Sequence, residues 1–171
     1  MGRSKTLPDS DVFAALRQLL IQGGDKAVAF SSVAQATGLA APTLAQRYGT
    51  RDAMVRAALL DGWDVMGKAT DRIVDEAPLS AKGATQILKA LSAAHMADIA
   101  LLASEFRDPV LRDSALAWRQ SLLAALGPRL GGGGKGQDAA ALVFAVWQGQ
   151  VLWHKAGGAQ IRIKDAVKRL T

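Results

Sequence analysis

Hydrophobic positions recur at helical spacing along almost the whole chain, and the pattern predicts an all-α protein. Asp9 or Ser10 is placed to cap a first helix with Val12, Phe13, Leu16, Leu19 and Leu20 facing inward, and Gly23-Gly24 ends it. Residues 31–54 predict two short helices joined by a tight turn, followed by a new helix from about Thr50 or Arg51. That long helix runs to about Asp75 and carries Val55, Leu59, Met66 and Ile73. Pro78 and Ser80 mark a break. The next helix spans about Lys82 to Ala103, with Leu88, Leu91, His95, Ile99 and Leu102 on one stripe. Asp108-Pro109 opens another, which ends at Gly127-Pro128. GGGGKG at 131–136 reads as a flexible surface loop. Asp138 then caps a helix that is apolar nearly all round, and a brief basic helix from Ile161 to Leu170 closes the chain.

The segment 31–54 carries the most chemistry. Ala34 and Gly38 lie four residues apart. A small residue lets a second helix cross closely, and glycine accepts the unusual backbone angle a tight turn demands. Val33, Leu39 and Leu44 supply apolar contacts between the two helices. Pro42 suits the first turn of the second helix, where its missing N–H costs nothing. On a helical projection Leu44 and Tyr48 share one face. Pro42, Thr43 and Gln46 share the other, flanked by Ala45 and Arg47. An outward polar face of this kind can reach base edges, and a flanking arginine can reach phosphate. Arg51, in the first turn of the following helix, is placed to clamp a phosphate together with that turn's free N–H groups. Arg3 and Lys5 form a short basic arm that could lie along a groove or be two incidental terminal charges.

About residues 9 to 60 resemble the DNA-binding domain of the TetR family of bacterial transcriptional regulators. The resemblance rests on Phe13-Ala14-Ala15-Leu16, Val33-Ala34, Thr37-Gly38-Leu39, Leu44, Tyr48 and Arg51. Ala45 stands where the family usually has tyrosine, Ala40 where it has serine, and Arg51 where it has lysine. The resemblance implies an N-terminal three-helix domain with a helix-turn-helix, residues 1–50, and a helical ligand-binding and dimerisation domain, residues 51–171. It implies DNA contacts from Arg3, Lys5, Pro42, Thr43, Gln46, Arg47, Tyr48 and Arg51. It also implies a cavity within residues 61–130, with Trp63, Met66, His95, Met96, Phe106 and Trp118 as candidate lining for a small, largely apolar effector. The same residue types at helical spacing also make plain core. An all-apolar helix must be covered on every side. A second copy of the chain is the expected cover, with Trp147, Val151 and Trp153 as interface candidates.

Composition narrows the alternatives. The net charge of +6 permits a polyanionic partner. Residues 1–60 hold seven Lys and Arg against four Asp and Glu, a balance of +3, so net positive charge per residue there is about twice that of the remainder. There is no cysteine, hence no disulfide or thiolate chemistry, and no apolar leader or membrane span. A cytoplasmic location is expected. The glycine run lacks the Gly-Lys-Ser/Thr ending of a phosphate loop, and no nucleophile arrangement or metal-ligand set has recognisable spacing. Neither catalysis nor a cofactor or metal is expected. The expected function is a repressor released from a near-palindromic operator by its ligand. The alternatives are a lipid or small-molecule binding protein of the same fold that no longer binds DNA, and a nucleoid protein without site preference.

Overall fold

The structure is a computed structural model that describes residues 7–157 and 162–170. Arg3 and Lys5 lie outside the described residues. The fold is all-α, and the described residues contain no strand. In chain order the helices are α1 (Asp9–Gly23), α2 (Phe30–Thr37), α3 (Ala41–Tyr48), α4 (Arg51–Glu76), α5 (Ala81–Leu102), α6 (Pro109–Arg129), α7 (Gly133–Trp153) and α8 (Ile163–Leu170). Single 3-10 turns follow α1 (Asp25–Ala27) and α7 (His154–Ala156). Among the described residues no helix is long and apolar enough to cross a membrane.

Two compact units divide within α4, Met1–Val65 and Met66–Thr171. The division falls 15 residues beyond the boundary expected at residue 50. Residues 51–65 fold with the first unit because Met54, Ala58 and Leu59 are buried there with Val12, Leu16, Leu20, Val28, Val33 and Leu44. A buried cation fixes the arrangement. Arg17, on α1, donates from Nη1 to the Ala58 carbonyl at 2.8 Å and pairs with Asp61 at 2.6 Å. Inside a core a guanidinium is tolerable only with such partners.

The start of α1 also differs from expectation. Pro8 precedes the helix and Asp9 is its first residue, making no capping bond. Its carboxylate points instead to Arg47 and Tyr48. Thr50 does cap α4, its Oγ accepting from the Ala53 N–H at 3.1 Å. Asp108 caps α6 as its sequence position suggests, and Ser80, read from the sequence only as part of a break, caps α5.

In the second unit the glycine run is a tight corner rather than a flexible loop. Gly131, Gly132 and Gly133 take positive φ, and α7 is already under way at Gly133, ahead of Asp138. Gly136 lies against α6: a Cβ there would sit 2.5 Å from the Gly127 carbonyl oxygen. Only a residue without a side chain allows that approach. α6 itself runs through Pro128 to Arg129, two residues beyond the stop predicted at Gly127-Pro128.

Arg129 closes the end of α4. Its guanidinium donates to the carbonyls of Val74 (2.9 Å), Ala77 (2.9 Å), Pro78 (3.1 Å) and, on its own helix, Ala125 (2.8 Å). Val74 and Pro78 also accept backbone N–H groups, from Ala77 and Ser80, so the guanidinium adds a second donor to carbonyls at this helix end. Replacing Arg129 with Met keeps the aliphatic stem but removes every donor. The expected outcome in denaturant unfolding is a loss of about 3 kcal/mol; a loss below about 1 kcal/mol would show that water replaces the guanidinium at no penalty.

Candidate nucleic-acid interface

α2 ends at Gly38 in the left-handed conformation, φ 75° and ψ 12°, and the chain turns directly into α3. The N–H of Gly38 closes on the Ala34 carbonyl at 2.8 Å. Leu44 is fully buried and holds α3 onto the unit's core with Val33. The opposite face is open: Pro42, Thr43, Gln46 and Arg47 are exposed, and Tyr48 is half-buried. The sequence-predicted division of the helix into an anchored face and an outward face is therefore present, with the polar Thr43 and Gln46 side by side on the outside.

The two arginines are placed differently from Gln46. Arg47 Nε pairs with the Asp9 carboxylate at 2.9 Å, and its Nη1 donates to the Leu7 carbonyl at 2.9 Å. The guanidinium also lies over the Tyr48 ring, 5.6 Å from its centroid. Arg51 is half-buried. It donates to the carbonyls of Val28 (2.9 Å) and Asp25 (2.7 Å) and pairs with the carboxylates of Asp25 and Asp52. The guanidinium expected to clamp a phosphate instead pins the α1–α2 connection to the start of α4. Tyr48 packs against Phe13, with ring centroids 5.6 Å apart, and its hydroxyl donates to Asp9. Burial, and then that bond to a carboxylate, push its ionisation well above the usual tyrosine range.

From the sequence Asp9 was read only as a helix cap, and Asp25 was not singled out. They lie 38 and 26 positions from the arginines they meet, and no local pattern announces such pairs.

The six candidate ligand residues are divided between the two units. Trp63 belongs to the first unit and the other five to the second. Met66 and Trp118 are buried, His95 and Met96 half-buried, and Phe106 exposed between α5 and α6. His95 Nδ1 lies 4.0 Å from Asp98. Trp118 donates to Thr70 Oγ at 2.9 Å and packs with Phe144 and Trp147 in an aromatic cluster, centroids 5.8 to 6.4 Å apart. A concavity of about 490 Å³ runs along α5, lined by Lys82, Thr85, Gln86, Lys89, Ala90 and Ala93, and includes none of the six.

The interface candidates divide in the same way. Trp147 is 1% exposed, its indole donating to Ser92 Oγ (2.7 Å) and the Leu88 carbonyl (3.1 Å), and Val151 is also buried. Both are core of their own subunit, which corrects their assignment to an interface. An all-apolar helix does not reveal which side its own chain covers. Trp153 is 71% exposed, and Leu142, Ala145 and Leu152 are exposed on the same helix.

No known family profile matches the chain, and no curated protein matches it in sequence. Solved structures do match. A TetR transcriptional regulator from Legionella pneumophila superposes with a TM-score of 0.73 at 15% identity, covering 98% of this chain and 97% of that one. A transcriptional regulator from Rhodococcus sp. RHA1 gives 0.74 at 18% identity, covering 96% and 94%. The multidrug binding protein EbrR complexed with malachite green gives 0.67 at 18% identity, covering 96% and 98%. This chain has the TetR-regulator fold. In that fold α2 and α3 of this chain form the helix-turn-helix, and Thr43 and Gln46 are its outward polar residues.

Tyr48, the chain's only tyrosine, reports directly on the Asp9 contact. Its folded-state pKa lies above that of the unfolded chain, about 10. Below that pH both states hold the proton and the contribution to stability is complete. As pH rises past about 10 the unfolded chain ionises first and stability is lost. The phenolate absorbance of the folded protein should therefore titrate above the ordinary range, and Tyr48→Phe should flatten the alkaline fall in stability. Titration at the ordinary value would show that Asp9 does not hold the hydroxyl.

Proposed function

We propose that this chain is a TetR-family transcriptional regulator that binds double-stranded DNA through α3. The observation that carries this reading is the outward face of α3, where Pro42, Thr43 and Gln46 are exposed while Leu44 anchors the helix from behind. A short helix presented in this way fits a major groove, with Gln46 able to pair with an adenine edge and Thr43 able to meet either a hydrogen-bonding edge or a thymine methyl. One such helix touches too few bases to find a site in a genome, so a second copy is required, its helix about 34–36 Å away on a near-palindromic operator. The exposed apolar side chains of α7, Leu142, Leu152 and Trp153, support a homodimer built on this helix.

Repression relieved by a small, largely apolar effector completes the proposal. The likeness to EbrR complexed with malachite green supports a ligand-responsive second unit. Trp63, Met66, His95, Met96, Phe106 and Trp118 remain its proposed contacts. A ligand shifts DNA affinity only as far as it prefers one arrangement of the helices, about 1.4 kcal/mol for each tenfold. A DNA-binding role goes with a cytoplasmic location and needs no catalytic group. The competing reading is a lipid or small-molecule binding protein of this fold without DNA. It is favoured by Ala40 and Ala45 on the recognition segment and by the pairing of Arg47 and Arg51 with aspartates.

Selection of bound duplexes from random DNA separates the two. The expected result is a two-fold-related pair of half-sites, with binding that weakens steeply as salt rises. No enriched sequence, together with ligand binding indifferent to salt, would favour the competing reading. Gln46→Ala should weaken the selected site by about 1–3 kcal/mol and relax the preference at one base position per half-site. Leu142→Glu should shift sedimentation toward the monomer without lowering the melting temperature of the first unit; an unchanged dimer would place the interface elsewhere.

A further inference from the structure

Arg47 is the only cation on α3, and it is not free to meet DNA. We infer that Asp9 masks Arg47, keeping the recognition helix from gripping phosphate without regard to sequence, and so tunes the ratio of specific to non-specific DNA binding. The inference rests on the DNA-binding reading and deepens it.

Three contacts hold the guanidinium: the Asp9 carboxylate, the Leu7 carbonyl and the face of Tyr48. Nε is held by Asp9 and Nη1 by Leu7, so a two-pronged grip on a phosphate through Nε must first displace Asp9, and the neighbouring carboxylate opposes one through the remaining N–H groups. Asp9 is itself restrained from leaving, because Tyr48 donates to it from the same helix. Its side chain is 53% exposed and that of Arg47 31%, so the pair faces solvent at the edge of the proposed DNA surface. Any phosphate within reach of Arg47 is also within a Debye length, about 10 Å at 0.1 M salt, of the Asp9 charge. Masking and repulsion act with the same sign. Contacts to phosphate add affinity on every sequence, whereas Thr43 and Gln46 add it on few. Blocking the former raises the share of binding that depends on sequence.

Asp9→Asn tests this directly, since the amide oxygen can still accept from Tyr48 while the charge is gone. Binding is read by fluorescence anisotropy over a range of salt, on a random-sequence duplex and on a selected duplex of equal length. Each additional neutralised phosphate, one per half-site, steepens the salt dependence by about 0.9 in log–log slope, which amounts to roughly tenfold tighter binding for each near 0.1 M salt. That gain is expected on both duplexes, narrowing the ratio between them. Asp11→Asn changes net charge equally from an exposed position on the same helix and should gain far less. Arg47→Gln in the native background should cost less than about twofold, because the masked side chain contributes little. The inference is overturned if Asp9→Asn melts like the native protein yet binds no tighter, if Asp11→Asn gains as much, or if Arg47→Gln costs tenfold. Should Asp9→Asn fail to fold, the Arg47→Gln result alone decides. Failure of the native protein and every variant to bind either duplex would sink the DNA reading together with this one, whereas native binding that Asp9→Asn leaves unchanged sinks the masking alone.

Discussion

An eight-residue helix does not hold itself in water, and α3 exists because Leu44 is buried behind it. The helix has no side-chain cap at Ala40 and no acidic residue in its first turn to favour its dipole. Its stability must come from the side facing the core. The outward side is thereby released from any structural duty, which is what allows Thr43 and Gln46 to be chosen for what they meet outside. The turn before it carries the same constraint: Gly38 takes a backbone angle that brings α3 across α2 at once, and a bulkier residue would have to bear strain there.

The burial of Leu44 depends in turn on the helices that surround it. Arg17 joins α1 to α4 through Ala58 and Asp61, and Arg51 joins α4 to the connection before α2 through Val28 and Asp25. Breaking either pair leaves a charge or a carbonyl without its partner, a larger penalty than the pair's own net contribution. The first unit is thus closed by cations that face inward or across its own surface. α4 belongs to both compact units as one continuous helix. On the proposed reading it is the element through which an effector would act, as the strength of the Arg17 and Arg51 contacts fixes its first half to α1 and the α1–α2 connection.

Much of the architecture was legible because helices write their period locally. The positions of α1, α4, α5 and α6, the glycine turn at Gly38, and the anchored and outward faces of α3 all follow from spacing within a few residues. What was not legible depends on approach between distant segments. The glycines at 131–136 read as flexible by composition, yet Gly136 is there because α6 passes within contact of it. Trp147 and Val151 read as a partner's contacts, yet they are sealed by their own chain. Nothing in the local sequence distinguishes those cases. The six ligand candidates were chosen by residue type, and they belong to both units, Trp63 to the first and the other five to the second.

Charge illustrates the same limit with a functional consequence. The balance of +3 over residues 1–60 suggests a surface eager for phosphate. Three of those seven cations, Arg17, Arg47 and Arg51, are in ion pairs with aspartates, and Arg17 is buried outright. Net charge acts at a distance and raises encounter rates with any polyanion, but a close contact needs a side chain with donors to spare. On the proposed reading the cations nearest the recognition helix have part of their donors committed to Asp9, Leu7, Asp25 and Val28. Discrimination among sequences then falls to short polar side chains, and Thr43 and Gln46 on the open face of α3 each have both a donor and an acceptor to offer a base edge.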